Sequence, residues 1–235
     1  MVSVCMATKN GATFLKEQLE SILHQLGPED EIVISDDCSG DETLTIIRTF
    51  QDSRMRLLEN KSEVGVARNF ENTLKTARGD YFFLADQDDI WLPQKIERMK
   101  RAMGEYDLVV SDCRLVDDNL RTKQPSFYQL NGSGKGFLRN LFRNSYMGCC
   151  MAFTRKLRDR ALPFPADIPM HDYWIGLVAE LYFRVCFLPD VLVLHRRHTS
   201  NASTSGHPSR QAISRKIGHR YRMVKNLLIH KSYAR

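Results

Sequence analysis

Phe83-Leu84-Ala85-Asp86-Gln87-Asp88-Asp89-Ile90-Trp91-Leu92-Pro93 is the stretch on which the fold turns. It is apolar, then acidic, then apolar again. Tyr81 to Ala85 predicts a buried strand, and Pro93 suits the first turn of a helix reaching about Met103. Between them, three carboxylates fall within four residues. Such a cluster repels itself unless a cation is near. Mg²⁺ and Mn²⁺ take hard oxygen ligands, commonly one or two carboxylates plus phosphate oxygens. A solvated, helix-capping turn is the alternative, but the apolar frame on both sides holds the acids in a defined place.

Working outward, the same alternation recurs. Val2 to Ala7 predicts a strand. Phe14, Leu15, Leu19, Ile22, Leu23 and Leu26 recur at helix spacing, and Gly27-Pro28 stops the helix. Glu31 to Ser35 is a second strand, followed by a helix that Asp41 can cap. Met55 to Leu58 is a third strand, Val66 to Ala77 a helix, Leu108 to Ser111 a fifth strand. Met147 to Thr154 reads as a strand and Tyr173 to Tyr182 as a helix, while 124–144 reads as irregular. Strands alternating with helices imply an α/β fold: a mostly parallel, Rossmann-like sheet with helices on both faces. One catalytic domain over 1–205, plus a tail over 206–235, is the simplest division.

Composition narrows the class. The chain has 235 residues and a net charge of +6, enough to bury a core without staples. Its six cysteines form no C-x-x-C pair and no zinc spacing. No basic stretch precedes an apolar core at the start, so a signal peptide is not expected. The longest apolar region, 185–194, is interrupted by Pro189 and Asp190 and is too short to span a bilayer. A cytoplasmic protein is expected. Residues 191–235 hold ten Lys/Arg and no Asp/Glu, whereas the rest is slightly acidic. From Gln211 onward, Ile213, Ile217, Tyr221, Val224 and Leu228 recur at helix spacing among basic residues. This basic amphipathic helix suits either the anionic inner face of the cytoplasmic membrane or packing on the catalytic domain. Nucleic acid is not an expected partner, because no recognised binding fold accompanies the charge.

Ligands of open parallel sheets sit beyond the carboxyl ends of the strands. Three polar clusters fall there: Ala7-Thr8-Lys9-Asn10-Gly11, Ser35-Asp36-Asp37-Cys38-Ser39-Gly40-Asp41, and the acidic run. With Asp41 the better cap, Asp36 and Asp37 are expected to stay free for ligand, and an Asp there can accept the N–H of uracil or thymine.

These clusters, with Gly65-x-Ala67-Arg68-Asn69 and the later Gly148-Cys149-Cys150, His171-Asp172-x-Trp174 and His195-Arg196-x-His198-x-x-Asn201, resemble glycosyltransferase family 2. The order of the motifs over about residues 1–201 is more specific than any single one. The Asp-Gln-Asp-Asp-Ile-Trp form is similar to rhamnosyltransferases of surface polysaccharide assembly. The resemblance implies a GT-A fold and inverting transfer of a sugar, L-rhamnose or another hexose, from a dTDP- or UDP-sugar to a glycan or lipid-linked glycan. It implies that Asp37 holds the base, with Thr8 and Asn10 framing base and ribose, and that Arg68 lies near the nucleotide. Asp86 and Asp88 match the D-x-D element, Asp88 being the better ligand of Mn²⁺ or Mg²⁺, with His198 a third ligand. Asp172 matches the catalytic base. By itself Asp172 reads as a helix N-terminal charge; it is the other motifs beside it that favour catalysis. Trp174 is an acceptor-stacking candidate, with simple packing the alternative. His171, His195 and Asp89 carry no assignment.

Three other classes fit the sequence less well. A sugar-phosphate nucleotidyltransferase usually needs a Gly-rich basic loop after the first strand, and Ala7 to Gly11 has one Gly and one Lys. A non-catalytic scaffold would not need Asp37, Asp88 and Asp172 together. A dinucleotide dehydrogenase lacks its G-x-G-x-x-G.

Overall fold

The computed structural model describes residues 1–198 and 213–232, with side chains of the latter segment described over 218–229. The elements run β1 (Val2–Thr8), α1 (Ala12–Leu23), β2 (Glu31–Asp36), α2 (Thr43–Thr49), β3 (Met55–Glu59), α3 (Val66–Thr76), β4 (Tyr81–Asp86), β5 (Ile90–Trp91) and α4 (Lys95–Ala102). Then follow β6 (Leu108–Val116), β7 (Thr122–Gln124), α5 (Phe127–Asn131), α6 (Phe137–Phe142), a 3₁₀ turn (Gly148–Cys150), β8 (Met151–Thr154), α7 (Arg155–Ala161), α8 (His171–Tyr182), β9 (Val185–Arg196) and α9 (Ile213–Ser232).

One sheet carries them in the order β3-β2-β1-β4-β8-β6-β9-β5, with β7 beside β6. The first four strands are parallel, with Ala7 level with Asp86 and Thr8 level with Asp36. Every residue of β2, and all but Ala7 of β1, is buried. A strand buried at both odd and even positions is covered on both faces, as parallel βαβ units require. β8 then runs antiparallel to both β4 and β6, and β9 runs parallel to β6. The sheet is thus parallel where the nucleotide motifs lie and mixed beyond.

The second half departs from the sequence reading for local reasons. β9 was masked by Pro189 and Asp190. In the structure β6 residue Ser111 pairs Leu188 while Asp112 pairs Val191, so those two residues bulge out. Pro lacks a ladder donor and is tolerated at a bulge. Residues 124–144 are not irregular throughout: Ser126 caps α5 by accepting Gln129 N–H at 3.1 Å, and α6 follows. The tail helix forms, but a different face turns inward. Met223 and Leu227 are buried and Val224 of the expected stripe packs half-buried against the core, whereas Tyr221 and Leu228 of that stripe are exposed. The side chains of Ile213 and Ile217, and all of Asn201, lie outside the described residues.

Candidate active site

The carboxyl ends of β1, β2 and β4 open into a cleft of about 530 Å³. Its lining includes Thr8, Asn10, Asp37, Asp86, Asp88, Asp172 and His198. Residues 8, 37, 88, 172 and 198 are far apart in the chain, and the parallel topology is what brings them to one place.

The first wall is a latch between two loops. Asp36 accepts Thr8 Oγ1 at 2.8 Å, Ser39 Oγ at 2.6 Å and Ser39 N–H at 2.8 Å. Ser39 Oγ in turn accepts Asn10 N–H, and Asn10 Oδ1 accepts Gly40 N–H, both at 2.8 Å. Asp36 is therefore committed to structure, contrary to the expectation that it stays free. Asp41 is not the N-cap of α2, a place Glu42 holds, but it accepts the first amides of α1 and α2, Ala12 N–H at 3.1 Å and Thr43 N–H at 3.0 Å. Asp37 is not free either. It accepts Val64 N–H at 2.7 Å and Gly65 N–H at 3.0 Å, which fixes the approach to α3. Each of its oxygens retains acceptor capacity, and it faces the cleft.

Gln87 gives the acidic run its registration. Its Nε2 donates to Lys9 O at 3.0 Å and its Oε1 accepts Lys9 N–H at 2.9 Å. This two-bond clamp ties the loop after β4 to the loop after β1. Gly11 is required beside it: a Cβ there would sit 2.3 Å from Gln87 Oε1.

The three aspartates have separate environments. Asp89 is wholly buried, accepts His195 Nδ1–H at 2.9 Å and also accepts Arg196 N–H at 3.2 Å. Burial alone would raise its pKa, but the His195 charge outweighs that and holds it low. The same pairing overcomes burial at His195, whose pKa rises to about 9. Asp89 thus anchors β9 to the acidic loop. Asp86 and Asp88 behave oppositely. Burial, then repulsion from Asp89 and Asp88, pushes Asp86 well above the usual carboxylate range. Burial and Asp89 raise Asp88, whose Oδ2 lies 2.8 Å from His198 Nε2.

This crowding is what a divalent cation would relieve. Asp86, Asp88 and His198 all line the cleft and offer two oxygens and a nitrogen, which fits Mn²⁺ or Mg²⁺. A second group, Asp86, Asp89, Cys149 and His195, has ligand atoms within 4.8 Å of one another. It fits those hard ions less well. Neither Asp89 nor Cys149 lines the cleft, and the Cys149 thiol is held protonated by its Cys150 contact and burial.

Asp172 closes the opposite side, in the first turn of α8. Its Oδ1 accepts Tyr173 N–H at 2.6 Å and its Oδ2 accepts Gly148 N–H at 3.1 Å. Burial still dominates and lifts its pKa to about 6. Its charge is felt at Asp86, so the two carboxylates face one space. His171 beside it stacks on Phe70 at 3.9 Å, and burial drops its pKa to about 3. Both its ring nitrogens are buried without a hydrogen-bond partner, and it lines the cleft.

Two expected site residues lie elsewhere. Trp174 is not an acceptor contact: it is wholly buried, and its indole donates to Ala161 O at 2.9 Å. On α8 it falls two residues, about 200°, from Asp172, so it faces the core. Arg68 does not line the cleft. Its guanidinium is bound to Glu71 and, at 2.9 Å, to Phe164 O. Gln87, Asp89, His171 and His195 are the residues the sequence left without a role. All four stand inside the motifs of the sequence, which was their signal.

Residues 3–162 match Glycosyl transferase family 2. The chain belongs to this family. A family relative in Escherichia coli, UDP-Glc:alpha-D-GlcNAc-diphosphoundecaprenol beta-1,3-glucosyltransferase WfgD, is 34% identical over 189 residues, covering 75% of this chain and 68% of that protein. Among solved structures, S. aureus TarS 1–349 in complex with UDP-GlcNAc superposes with a TM-score of 0.73 at 21% identity, over 96% of this chain and 66% of TarS. The mannosyltransferase PcManGT from Pyrobaculum calidifontis, in complex with GDP-Man and Mn²⁺, gives 0.65 at 21% identity, over 87% of this chain and 58% of its own. The chain thus spans about two thirds or less of these solved structures. The GT-A arrangement expected of family 2 is the fold found.

Proposed function

We propose that this family 2 chain transfers a hexose, with inversion, from a nucleoside diphosphate sugar to a hydroxyl of a lipid-linked or polymeric glycan. Residues 1–205 form the catalytic unit and 206–235 a tail. The observation that carries the reading is the pairing of a buried, elevated carboxylate at Asp172 with the acidic pair Asp86 and Asp88 in one cleft. A single displacement needs one base for the acceptor hydroxyl and neutralisation of the departing diphosphate. The acceptor oxygen bonds to the anomeric carbon as that carbon's bond to the diphosphate oxygen breaks. The electron pair leaves with the diphosphate, and the hydroxyl proton passes to Asp172. Asp86, Asp88 and His198 would hold Mn²⁺ or Mg²⁺, which when bound supplies positive charge to the diphosphate. Asp37, Thr8 and Asn10 frame the base and ribose.

Uracil and thymine present the same N–H and carbonyl edge, so Asp37 does not separate UDP from dTDP. The relative WfgD is named for UDP-Glc and a diphosphoundecaprenol-linked acceptor, which supports a UDP-hexose and a lipid-linked glycan. dTDP-L-rhamnose is kept as the second donor because of the Asp-Gln-Asp-Asp-Ile-Trp motif.

Thermal shift tests the reading. UDP or dTDP with Mn²⁺ should stabilise the protein more than either component alone, and Asp88→Asn should remove the increment due to Mn²⁺. A mass-spectrometric screen of UDP-glucose and dTDP-rhamnose then names the donor. Stabilisation only by a nucleoside triphosphate, with pyrophosphate release, would make the protein a nucleotidyltransferase instead.

A further inference from the structure

The two longest runs of the sequence without Asp or Glu are 119–158, with eight Lys/Arg, and 191–235, with ten. The fold brings them together at α6 and α9. Arg220 of α9 donates to the carbonyls of Leu141 at 3.3 Å and Phe142 at 2.8 Å, and its guanidinium lies 5.2 Å from the Phe142 ring centre. The inner side of α9 is committed to the body through Met223 and Leu227, and through Asn226, which donates to Asp167 at 2.7 Å.

What the two helices leave outside is apolar. Tyr221 (69%), Leu138 (68%), Leu228 (66%) and Phe142 (64%) are the four most exposed large hydrophobic side chains among the described residues. Leu138 and Phe142 are one turn apart on α6, Tyr221 and Leu228 are two turns apart on one side of α9, and Arg220 ties the two helices together. Single exposed apolar residues mean little, but a cluster marks an interaction surface. Exposed Lys135, Arg139, Arg143 and Lys225 lie on or next to the same two helices.

We propose that this α6–α9 surface docks on an anionic lipid bilayer, with Leu138, Phe142, Tyr221 and Leu228 entering the headgroup boundary and the neighbouring cations meeting anionic headgroups. The charge decides the occupant. Asp167 and Glu180 are hydrogen-bonded to Asn226 and to Gly136 and Asn140, whereas the charged side chains on α6 and along the described part of α9 are all positive. Such helices with apolar and aromatic residues match anionic lipid in both respects. A second copy of this chain would bring the same positive charge against itself. No helix of the described residues is long and apolar enough to cross a membrane, so the contact is peripheral.

Its position is also informative. Tyr173, next to Asp172, donates to Leu141 O of α6 at 2.8 Å, and Asp167, which holds α9, lies just before α8. The surface therefore adjoins the base side of the cleft, where a glycan carried on a lipid would arrive. The docking itself does not rest on the transfer reading.

Co-sedimentation of the full chain with vesicles tests it. Phosphatidylcholine vesicles doped with phosphatidylglycerol should pull the protein down, less so at high salt, and pure phosphatidylcholine should not. The triple variant Leu138→Glu, Phe142→Glu, Leu228→Glu should bind at least tenfold more weakly. So should a second variant, with Lys135, Arg139, Arg143 and Lys225 all changed to Gln. None of these residues lines the cleft, so the shift with UDP and Mn²⁺ should persist in both, which separates loss of docking from loss of the fold or the nucleotide site. Absence of sedimentation with the anionic vesicles, or equal binding by wild type and variants, would overturn the proposal. So would concentration-dependent self-association abolished by Phe142→Glu in a protein that ignores vesicles.

Discussion

Asp172→Asn separates the chemistry from the pH dependence of stability. The Asp172 carboxyl titrates at about 6 against an ordinary 3.8, a displacement of about 2 units, or about 3 kcal/mol at 1.36 kcal/mol per unit. The cause is burial, opposed by the Gly148 and Tyr173 amides. The elevated value makes Asp172 a stronger base than an exposed aspartate, yet one still mostly ionised at pH 7. kcat/KM at saturating Mn²⁺ should be level above about pH 7 and fall about tenfold per unit below pH 6. The amide cannot accept a proton, so transfer should drop about 10²- to 10⁴-fold with donor binding retained. The folded state favours the protonated acid, so the penalty is absent below the unfolded pKa and complete above pH 6. Removing the charge should therefore raise stability at pH 8 relative to pH 4 by at most about 3 kcal/mol, less about 0.3–1 kcal/mol for the lost interaction with the α8 dipole. That gain should vanish near pH 4. Set against it is a pH-independent loss of about 1–3 kcal/mol, because the Asn NH2 cannot accept one of the Tyr173 and Gly148 amides. Urea denaturation of both proteins across pH, alongside a coupled assay for nucleotide release, reads both effects. A pH–rate profile flat from 7 to 5, or a variant within tenfold of wild type, would refute the reasoning.

The Gln87 clamp and the Trp174 correction give two further tests. Gly11→Ala drives a Cβ into the Gln87 amide and should break its two bonds to Lys9, costing about 1–3 kcal/mol. Gln87→Ala should cost a similar amount, and the double variant about as much as one alone, because both remove the same contact. Additive losses in urea melts would remove the clamp. Trp174→Ala should destabilise by about 3–5 kcal/mol while leaving the acceptor KM of the remaining folded enzyme within about twofold. A selective rise in acceptor KM would restore Trp174 to the site.

Much of this was legible before any coordinates. Alternation of apolar runs with helix-spaced stretches gave the parallel half, and strand ends placed Thr8, Asn10, Asp37, Asp86 and Asp88 at one edge, because ligand sites of parallel sheets follow from local order along the chain. β9 was not legible, since a bulge at Pro189 and Asp190 looks like an interruption until β6 is there to pair around it. Roles that depend on what faces a side chain were equally out of reach. Asp86, Asp88 and Asp89 are one residue type within four positions, yet Asp89 is buried against His195 while the other two face the cleft. Trp174 and Asp172 differ by two residues on one helix, and only the packing of α8 sends one to the core and the other to the cleft. The sequence fixes which groups exist and their local geometry; their dielectric surroundings and partners come from segments about a hundred residues away, and only tertiary contact decides those.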